Sequence, residues 1–341
     1  MTLEASETAR LETWMRGEVS GFAGPLACEK FPGGQSNPTY RLETPARRYV
    51  LRSKPRGPIL PSAHAIDREY RLLSALHPTG FPVPEPYRIC EDEAVIGTPF
   101  YVMEMVEGRS FWDAALPGAT PEVRRGVYAG MIRTLAALHA IQPNAVGLGD
   151  FGRPGNYFAR QIGRWTTQYR ASETERIEEV ERLIAWLPET MPEQRRTSII
   201  HGDYRIDNLV FRADGNEVAA VLDWELSTLG DPLADFSYLA MNWILPADGR
   251  AGLAGLDLPG LGIPTLDEAR TIYCAATGWE VPERLEWYFA YNLFRLIGIA
   301  QGVHKRMLDG SASSANANEI GARIAPLARA AWRQADLAGA R

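Results

Sequence analysis

Hydrophobic and polar positions alternate with period two in the first third of the chain and with a helical period over most of the rest. Before residue 110, short alternating or apolar runs recur at residues 28–31, 39–43, 48–54 and 99–106, and each predicts a strand. Two helices are expected among them. Residues 11–19 form a short amphipathic stretch, and residues 63–76 follow Ser62 as a candidate cap, with Ile66, Tyr70 and Leu73 as the apolar stripe. Proline-rich residues 81–86 force extended backbone. Beyond Phe111 the period becomes helical, predicting helices at 121–141, 156–169, 173–187, 233–243, 267–277, 282–303 and 315–338. Residues 188–194 and the glycine-rich 249–262 read as loops. The pattern is that of an α+β protein with its strands early and its helices late. The most apolar helix, residues 287–303, carries Asn292 and Arg295 and reads as a buried core helix rather than a membrane span.

One segment interrupts the helical part. It runs His201-Gly-Asp-Tyr-Arg-Ile-Asp-Asn-Leu-Val-Phe211 and is followed by Val221-Leu-Asp-Trp-Glu225. The β-branched Ser198-Ile-Ile200 leads in, and an Asp214-Gly215 turn folds residues 209–212 back on 217–222 as a hairpin. Asp203 stands five positions before Asn208, and Asp223 returns at the far end of the hairpin. Turn formation and capping account for Asp203, Asp207 and Asn208 one by one, but not for a third acid after an intervening hairpin. Kinase-type phosphoryl transfer needs a carboxylate for the acceptor hydroxyl proton, an amide oxygen on a metal and a second carboxylate on the same metal. Asp203, Asn208 and Asp223 supply those groups in that order.

The motif H-G-D-x-x-x-x-N with a following aspartate resembles the aminoglycoside phosphotransferase-like family of small-molecule kinases, relatives of the protein kinases. The resemblance implies a bilobal protein-kinase-like α+β fold, with an antiparallel-sheet lobe over residues 1–104 and a larger, mostly helical lobe over 105–341. It also implies use of ATP and Mg²⁺, with Asp203 as base and Asn208 and Asp223 as metal ligands. Arg205, two positions after Asp203, stands where protein kinases direct a lysine at the transferring group. The strand, turn and strand around Pro32-Gly-Gly-Gln-Ser-Asn37 match a phosphate-covering loop, with Gly33, Gly34, Ser36 and Asn37 as nucleotide contacts. This is not a Walker A sequence.

On the third strand Arg52 takes the register of the usual phosphate-binding lysine, a departure the fork of a guanidinium can accommodate. Lys54 shares its face, and the sequence does not choose between them. Glu69 matches the helix glutamate that pairs with the strand-three cation. Glu104 to Val106 matches the hinge where kinase backbone groups meet adenine. Helices inserted before the catalytic loop line the acceptor pocket in such enzymes, which points to Arg164 and Trp165 as substrate contacts. His139 and His201 read as structural, Asp231 as a helix cap and Asp235 as a brace for the catalytic loop. Asp223-Trp-Glu225 lacks the glycine of D-F-G, which argues against a large swing of the segment after it.

Composition narrows the function without changing the fold. At 341 residues, 45% hydrophobic, the chain can bury one large or two moderate cores, and a formal charge of -6 with mixed signs argues against a nucleic-acid surface. Cys28, Cys90 and Cys274 are odd in number and widely spaced, consistent with a reducing compartment. With no apolar signal core in residues 1–20, a cytoplasmic protein with no membrane association is expected.

The acceptor is expected to be a small-molecule hydroxyl. Tyr49-Val-Leu-Arg52, Ala63-His-Ala-Ile-Asp-Arg-Glu-Tyr70 and Arg164-Trp-Thr-Thr-Gln-Tyr169 are similar to the branch fused to some acyl-CoA dehydrogenases, which implies a hydroxyacyl-CoA or hydroxy acid. An aminoglycoside or amino-alcohol acceptor is the alternative. A polycation favours a carboxylate-rich pocket, yet residues 231–341 hold 12 Asp and Glu against 10 Lys and Arg. A kinase-shaped module that binds nucleotide or acyl ligand without turnover is the reading from another class. The complete set of Asp203, Asn208 and Asp223 weighs against it.

Overall fold

The computed structural model of the chain describes residues 3–31, 37–56, 65–309 and 317–341. These fall into two compact units. The first comprises Met1–Phe111, Val146–Leu148 and Asp207–Ser227; the second comprises Trp112–Ala145, Gly149–Ile206 and Thr228–Arg341.

The first unit opens with helix α1 (Ala5–Glu18), followed by strands β1 (Ala27–Lys30), β2 (Thr39–Glu43) and β3 (Arg48–Ser53). Helix α2 (Ile66–Leu76) and strands β4 (Pro86–Cys90) and β5 (Phe100–Glu104) come next. The five strands form one antiparallel sheet in the order β1-β2-β3-β5-β4. Period two sends Tyr40, Leu42, Tyr49 and Leu51 into a core shared with Leu11 and Met15 of α1. Val50 and Arg52 face the other way. Helix α1 begins six residues before the expected Leu11, because Glu4 and Glu7 form a capping box there. Helix α2 is described from Ile66, and the cap expected at Ser62 lies outside the described residues. Its buried stripe is Ile66, Glu69, Leu72, Leu73 and Leu76, so Glu69 points inward and Tyr70 sits at the edge.

The second unit begins with helices α3 (Pro121–Ala140), α4 (Tyr157–Ser172) and α5 (Glu178–Glu189) and strand β6 (Ser198–Ile200). Thr120 caps α3 with its hydroxyl on the Val123 N–H. Helix α5 starts at Glu178 rather than 173 and takes Pro188 into its last turn, where little of the hydrogen-bond ladder remains to be lost. Strands β7 (Leu209–Phe211) and β8 (Val218–Val221) form the expected hairpin and belong to the first unit.

Strand β9 (Thr228–Gly230) returns to the second unit and pairs antiparallel with β6, a strand too short to announce itself by period. Helices α6 (Pro232–Ala240), α7 (Leu258–Leu261), α8 (Leu266–Thr277), α9 (Glu286–Leu308), α10 (Ala317–Ala322) and α11 (Ile324–Leu337) complete the chain. Here α9 is the core helix. Phe158 of α4 meets Trp287 and Tyr291 edge-on, with ring centroids 5.2 and 5.0 Å apart. Asn292 on the same helix donates to the Ser237 hydroxyl of α6 at 2.9 Å. Among the described residues no helix is long and apolar enough to cross a membrane.

Candidate functional site

The chemistry-bearing residues form two constellations, one in each unit. In the first, a cavity of about 440 Å³ opens against the sheet. Val50, Leu73, Met103, Val106, Val210 and Val221 make an apolar slot, and Asn37, Arg52, Glu69, Asn208, Asp223 and Glu225 line its polar part. Phe31, Glu104 and Asp207 line it as well.

Arg52 is the centre of the polar part. Its Nη1 donates to Glu69 Oε1 at 2.8 Å, and its Nη2 donates to Asp223 Oδ1 at 3.3 Å. The Arg52 and Glu69 side chains are 11% and 3% exposed, so this ion pair is shielded from water, whereas Asp223 is 40% exposed. Burial works against the Arg52 charge; Glu69, Tyr101 and Asp223 outweigh it and raise the pKa of the guanidinium above its ordinary value. Lys54 lies beyond the end of β3 and sits 3.9 Å from Asp67, with a third of its side chain exposed. Of the two cations only Arg52 lines the cavity.

Asn208 and Asp223 are brought together by the hairpin: the Leu222 N–H donates to the Asn208 carbonyl at 2.9 Å, next to Asp223. Asp223 adopts a left-handed backbone, φ 65° and ψ 61°, a conformation costly for a residue with a Cβ. The following Trp224 is buried, donates its indole N–H to the Val221 carbonyl at 2.9 Å and meets Phe81 edge-on. That anchor takes the place of a flexible glycine. An amide oxygen and a carboxylate are hard donors of the kind Mg²⁺ takes, and Asn208 and Asp223, which both line this part of the cavity, fit such an ion; among the described residues no three His, Cys, Asp or Glu side chains gather closely enough to enclose one. Gly33, Gly34 and Ser36 lie outside the described residues, while Asn37 is described, buried and on the cavity wall.

In the second unit Asp203 follows Gly202, whose φ of 85° lets the loop turn directly after β6. Asp235 of α6 holds that turn. Its carboxylate accepts from the His201 N–H at 2.6 Å and the Gly202 N–H at 2.8 Å. His139 backs Asp235, with Nε2 3.4 Å from Oδ2 and Nδ1 2.6 Å from the Tyr273 hydroxyl. His201 Nδ1 accepts from the Asp203 N–H at 3.1 Å.

The Asp203 carboxylate then receives two groups on Oδ1: the Tyr238 hydroxyl donates at 2.8 Å, and Arg205 Nε lies at 3.4 Å. Burial pushes this carboxyl up, but Arg205, Tyr238, Arg295 and His201 outweigh it and hold its pKa below the ordinary carboxylate value. It is ionised at neutral pH. Trp165 is buried in α4, with the Arg164 guanidinium 5.2 Å and the Arg295 guanidinium 5.8 Å from its ring centroid. Arg164 itself is exposed.

The sequence of residues 27–286 matches the model of the phosphotransferase enzyme family. The chain belongs to that family. It is 45% identical over 325 residues to acyl-CoA dehydrogenase family member 10 of Mus musculus, covering 94% of this chain and 30% of that protein. With human acyl-CoA dehydrogenase family member 11 the identity is 38%, covering 94% of this chain and 42% of the relative. This family member thus spans less than half the length of those curated relatives.

A crystal structure from Ralstonia eutropha, reported as a candidate aminoglycoside phosphotransferase, is 49% identical, covers 96% of this chain and 98% of its own, and superposes with a TM-score of 0.88. Spectinomycin phosphotransferase, solved with ADP and spectinomycin, shares the fold at 10% identity and a TM-score of 0.62, covering 96% of this chain. The kinase-like α+β fold and the small-molecule phosphotransferase class expected from the catalytic motif are therefore those of this chain.

Sequence reasoning missed Tyr101, Tyr238 and Arg295. Tyr238 lies three residues after Asp235, hence on the same helical face, and Arg295 is a lone cation in an apolar helix; both signals were present. Tyr101 had none, since it acts through its pairing opposite Arg52 in the sheet.

Proposed function

We propose that this phosphotransferase moves the γ-phosphoryl group of ATP, with Mg²⁺, to a hydroxyl of a small molecule. The observation that carries this reading is the first unit's cavity, which gathers Arg52, Glu69, Asn208 and Asp223 around the polar part of an apolar slot. The slot suits a flat base, with Glu104 to Val106 beside it, and Asn37 and Arg52 suit phosphate oxygens. The ion held by Asn208 and Asp223 would neutralise charge on the β- and γ-phosphates. Glu69 keeps Arg52 extended toward Asp223, so the phosphate-binding fork is set before the nucleotide arrives. Asp203, ionised, accepts or orients the acceptor hydroxyl proton, and Arg205 adds positive charge beside it.

For the acceptor, the identity of 37–45% to acyl-CoA dehydrogenase family members favours a hydroxyacyl-CoA or hydroxy acid over an aminoglycoside or amino alcohol. Near Asp203, Arg205 and Arg295 supply positive charge, a poor setting for a polycation. Arg164 and Trp165 remain candidates for that acceptor. Trp165 is buried, so a contact through it would have to reach its indole Nε1, which has no hydrogen-bond partner among the described residues.

The test is ADP release from Mg²⁺-ATP with a panel of hydroxyacyl-CoAs, hydroxy acids, amino alcohols and aminoglycosides. Acceptor-dependent ADP is expected with the acyl or hydroxy-acid members, and Asp203→Asn should lower it by about 10²–10⁴-fold while leaving Mg²⁺-AMP-PNP affinity within about twofold. Equal loss of binding and turnover would remove Asp203 from the chemistry. Nucleotide binding without turnover on any acceptor would favour the non-catalytic module.

A further inference from the structure

Arg295 is a cation buried deep in the second unit. It is 6% exposed, lies on the core helix α9, and makes no ion pair with a carboxylate closer than 4 Å among the described residues. A buried charge without such a partner is expensive, so its retention asks for a reason. Two aromatic faces surround it: its guanidinium carbon stands 5.0 Å from the ring centroid of Tyr238 and 5.8 Å from that of Trp165. Both distances lie within the reach of a cation–π contact, strongest where water is excluded. Tyr238 spends its hydroxyl on Asp203 Oδ1 at 2.8 Å. The order is therefore cation, phenol ring, phenol O–H, carboxylate, running from α9 through α6 to the catalytic loop.

We propose that Tyr238, backed by Arg295, is the positioning residue of the acceptor-activating carboxylate: it fixes the orientation of Asp203 and keeps it anionic. The inference rests on the reading of Asp203 as base. A cation over the ring draws electron density from the phenol and makes its O–H a stronger donor, and a donor to an ionised acceptor is worth more than one between neutral groups. Because the bond engages Oδ1, it sets the carboxylate plane and with it the direction of Oδ2. The charged and titratable groups facing Asp203 include Arg205 and His201 from its own loop, Tyr238 from α6 and Arg295 from α9. Arg205 approaches the same Oδ1 from two residues away on the loop, whereas Tyr238 and Arg295 stand on the packed helices α6 and α9. Asn292, one turn before Arg295, ties α9 to α6 through Ser237 and keeps the pair in register. The helices thereby add to the loop's own hold on the base.

Tyr238→Phe removes the donor and keeps the ring beneath Arg295, so the core stays filled. The full-length protein is labelled with ¹³C at aspartate side-chain carboxyls, and the Asp203 resonance, identified by its loss in Asp203→Asn, is followed against pH. Loss of a hydrogen bond to the anion should raise its midpoint by about one pH unit. With whichever acceptor the panel above yields, kcat should fall about tenfold with the KM for Mg²⁺-ATP unchanged, and the acidic limb of kcat should move to higher pH. Arg295→Met should move both in the same direction by less, and an unchanged thermal midpoint in Tyr238→Phe excludes unfolding as the cause. An Asp203 titration and kcat–pH profile in Tyr238→Phe matching the wild type would overturn the inference while leaving the base in place. Persistent acceptor-dependent turnover in Asp203→Asn would overturn the base assignment itself, and the two failures are told apart by which variant retains activity.

Discussion

Arg52 shows how one residue can meet several demands. A lysine could neutralise Glu69 or reach Asp223, but the arginine fork touches both at once, at 2.8 and 3.3 Å. The departure from the usual lysine is thus structurally complete, because the partners that hold a strand-three cation are both engaged. The same geometry makes Glu69 costly to remove. Glu69→Ala leaves the guanidinium buried without its main counter-charge, and loss of one partner of a buried pair costs about 3–5 kcal/mol. A urea midpoint shift of that size is expected, with weaker Mg²⁺-AMP-PNP binding as the fork loses its brace. A change below about 1 kcal/mol would mean that Asp223 alone holds Arg52. These contacts were legible in part: the register of the third strand singled out Arg52 and the family resemblance matched Glu69 to it, but Tyr101 joined them through a cross-strand register that no local pattern encodes.

At the scale of elements, the sequence revealed those with strong period and missed those that depend on distant partners. The hairpin of β7 and β8 followed from its Asp214-Gly215 turn, whereas β9 exists because β6 offers an edge thirty residues earlier. Helix α6 shows a different tension at its start. Asp231 caps it with Oδ1 on the Leu233 N–H at 2.9 Å, a favourable place for an anion, yet the residue is only 4% exposed. Burial pushes the carboxyl up from 3.8 to about 6 against the pull of that N–H and of Arg196. With the folded-state pKa above the unfolded value, the folded state holds the proton more tightly. The resulting stability is present below about pH 4 and is lost as pH rises through about 6. Asparagine caps as well as aspartate and carries no charge. Asp231→Asn should therefore stabilise the protein at pH 7.5, by up to about 3 kcal/mol, and give no gain at pH 4. Equal thermal midpoints for the two proteins at both pH values would show that the cap hydrogen bond, not burial, dominates.

For the whole molecule, the first unit is assembled from three separate stretches of chain, so no single cut releases it and its ligand must be studied on the full protein. The return of residues 207–227 to that unit is long-range, which is why the motif could be read from the sequence but its placement beside Arg52 could not. The consequence is electrostatic. Asp207, Asp223 and Glu225 line the first unit's cavity, in a chain whose formal charge is already -6. Bare triphosphate entering that field meets repulsion that Arg52 only partly offsets, since Glu69 and Asp223 already share its charge. A divalent ion on Asn208 and Asp223 would reverse the balance, converting the carboxylates from a barrier into a grip. Mg²⁺-AMP-PNP at one hundred times its Kd should add about 2.7 kcal/mol of stability, seen as a rise in thermal midpoint. The same nucleotide with EDTA should add little, and Asp223→Asn should shrink the gain with Mg²⁺ toward that lower level. If nucleotide stabilises equally with and without Mg²⁺, the carboxylates are neutralised by another route, and Asn208 and Asp223 serve the hairpin rather than the metal.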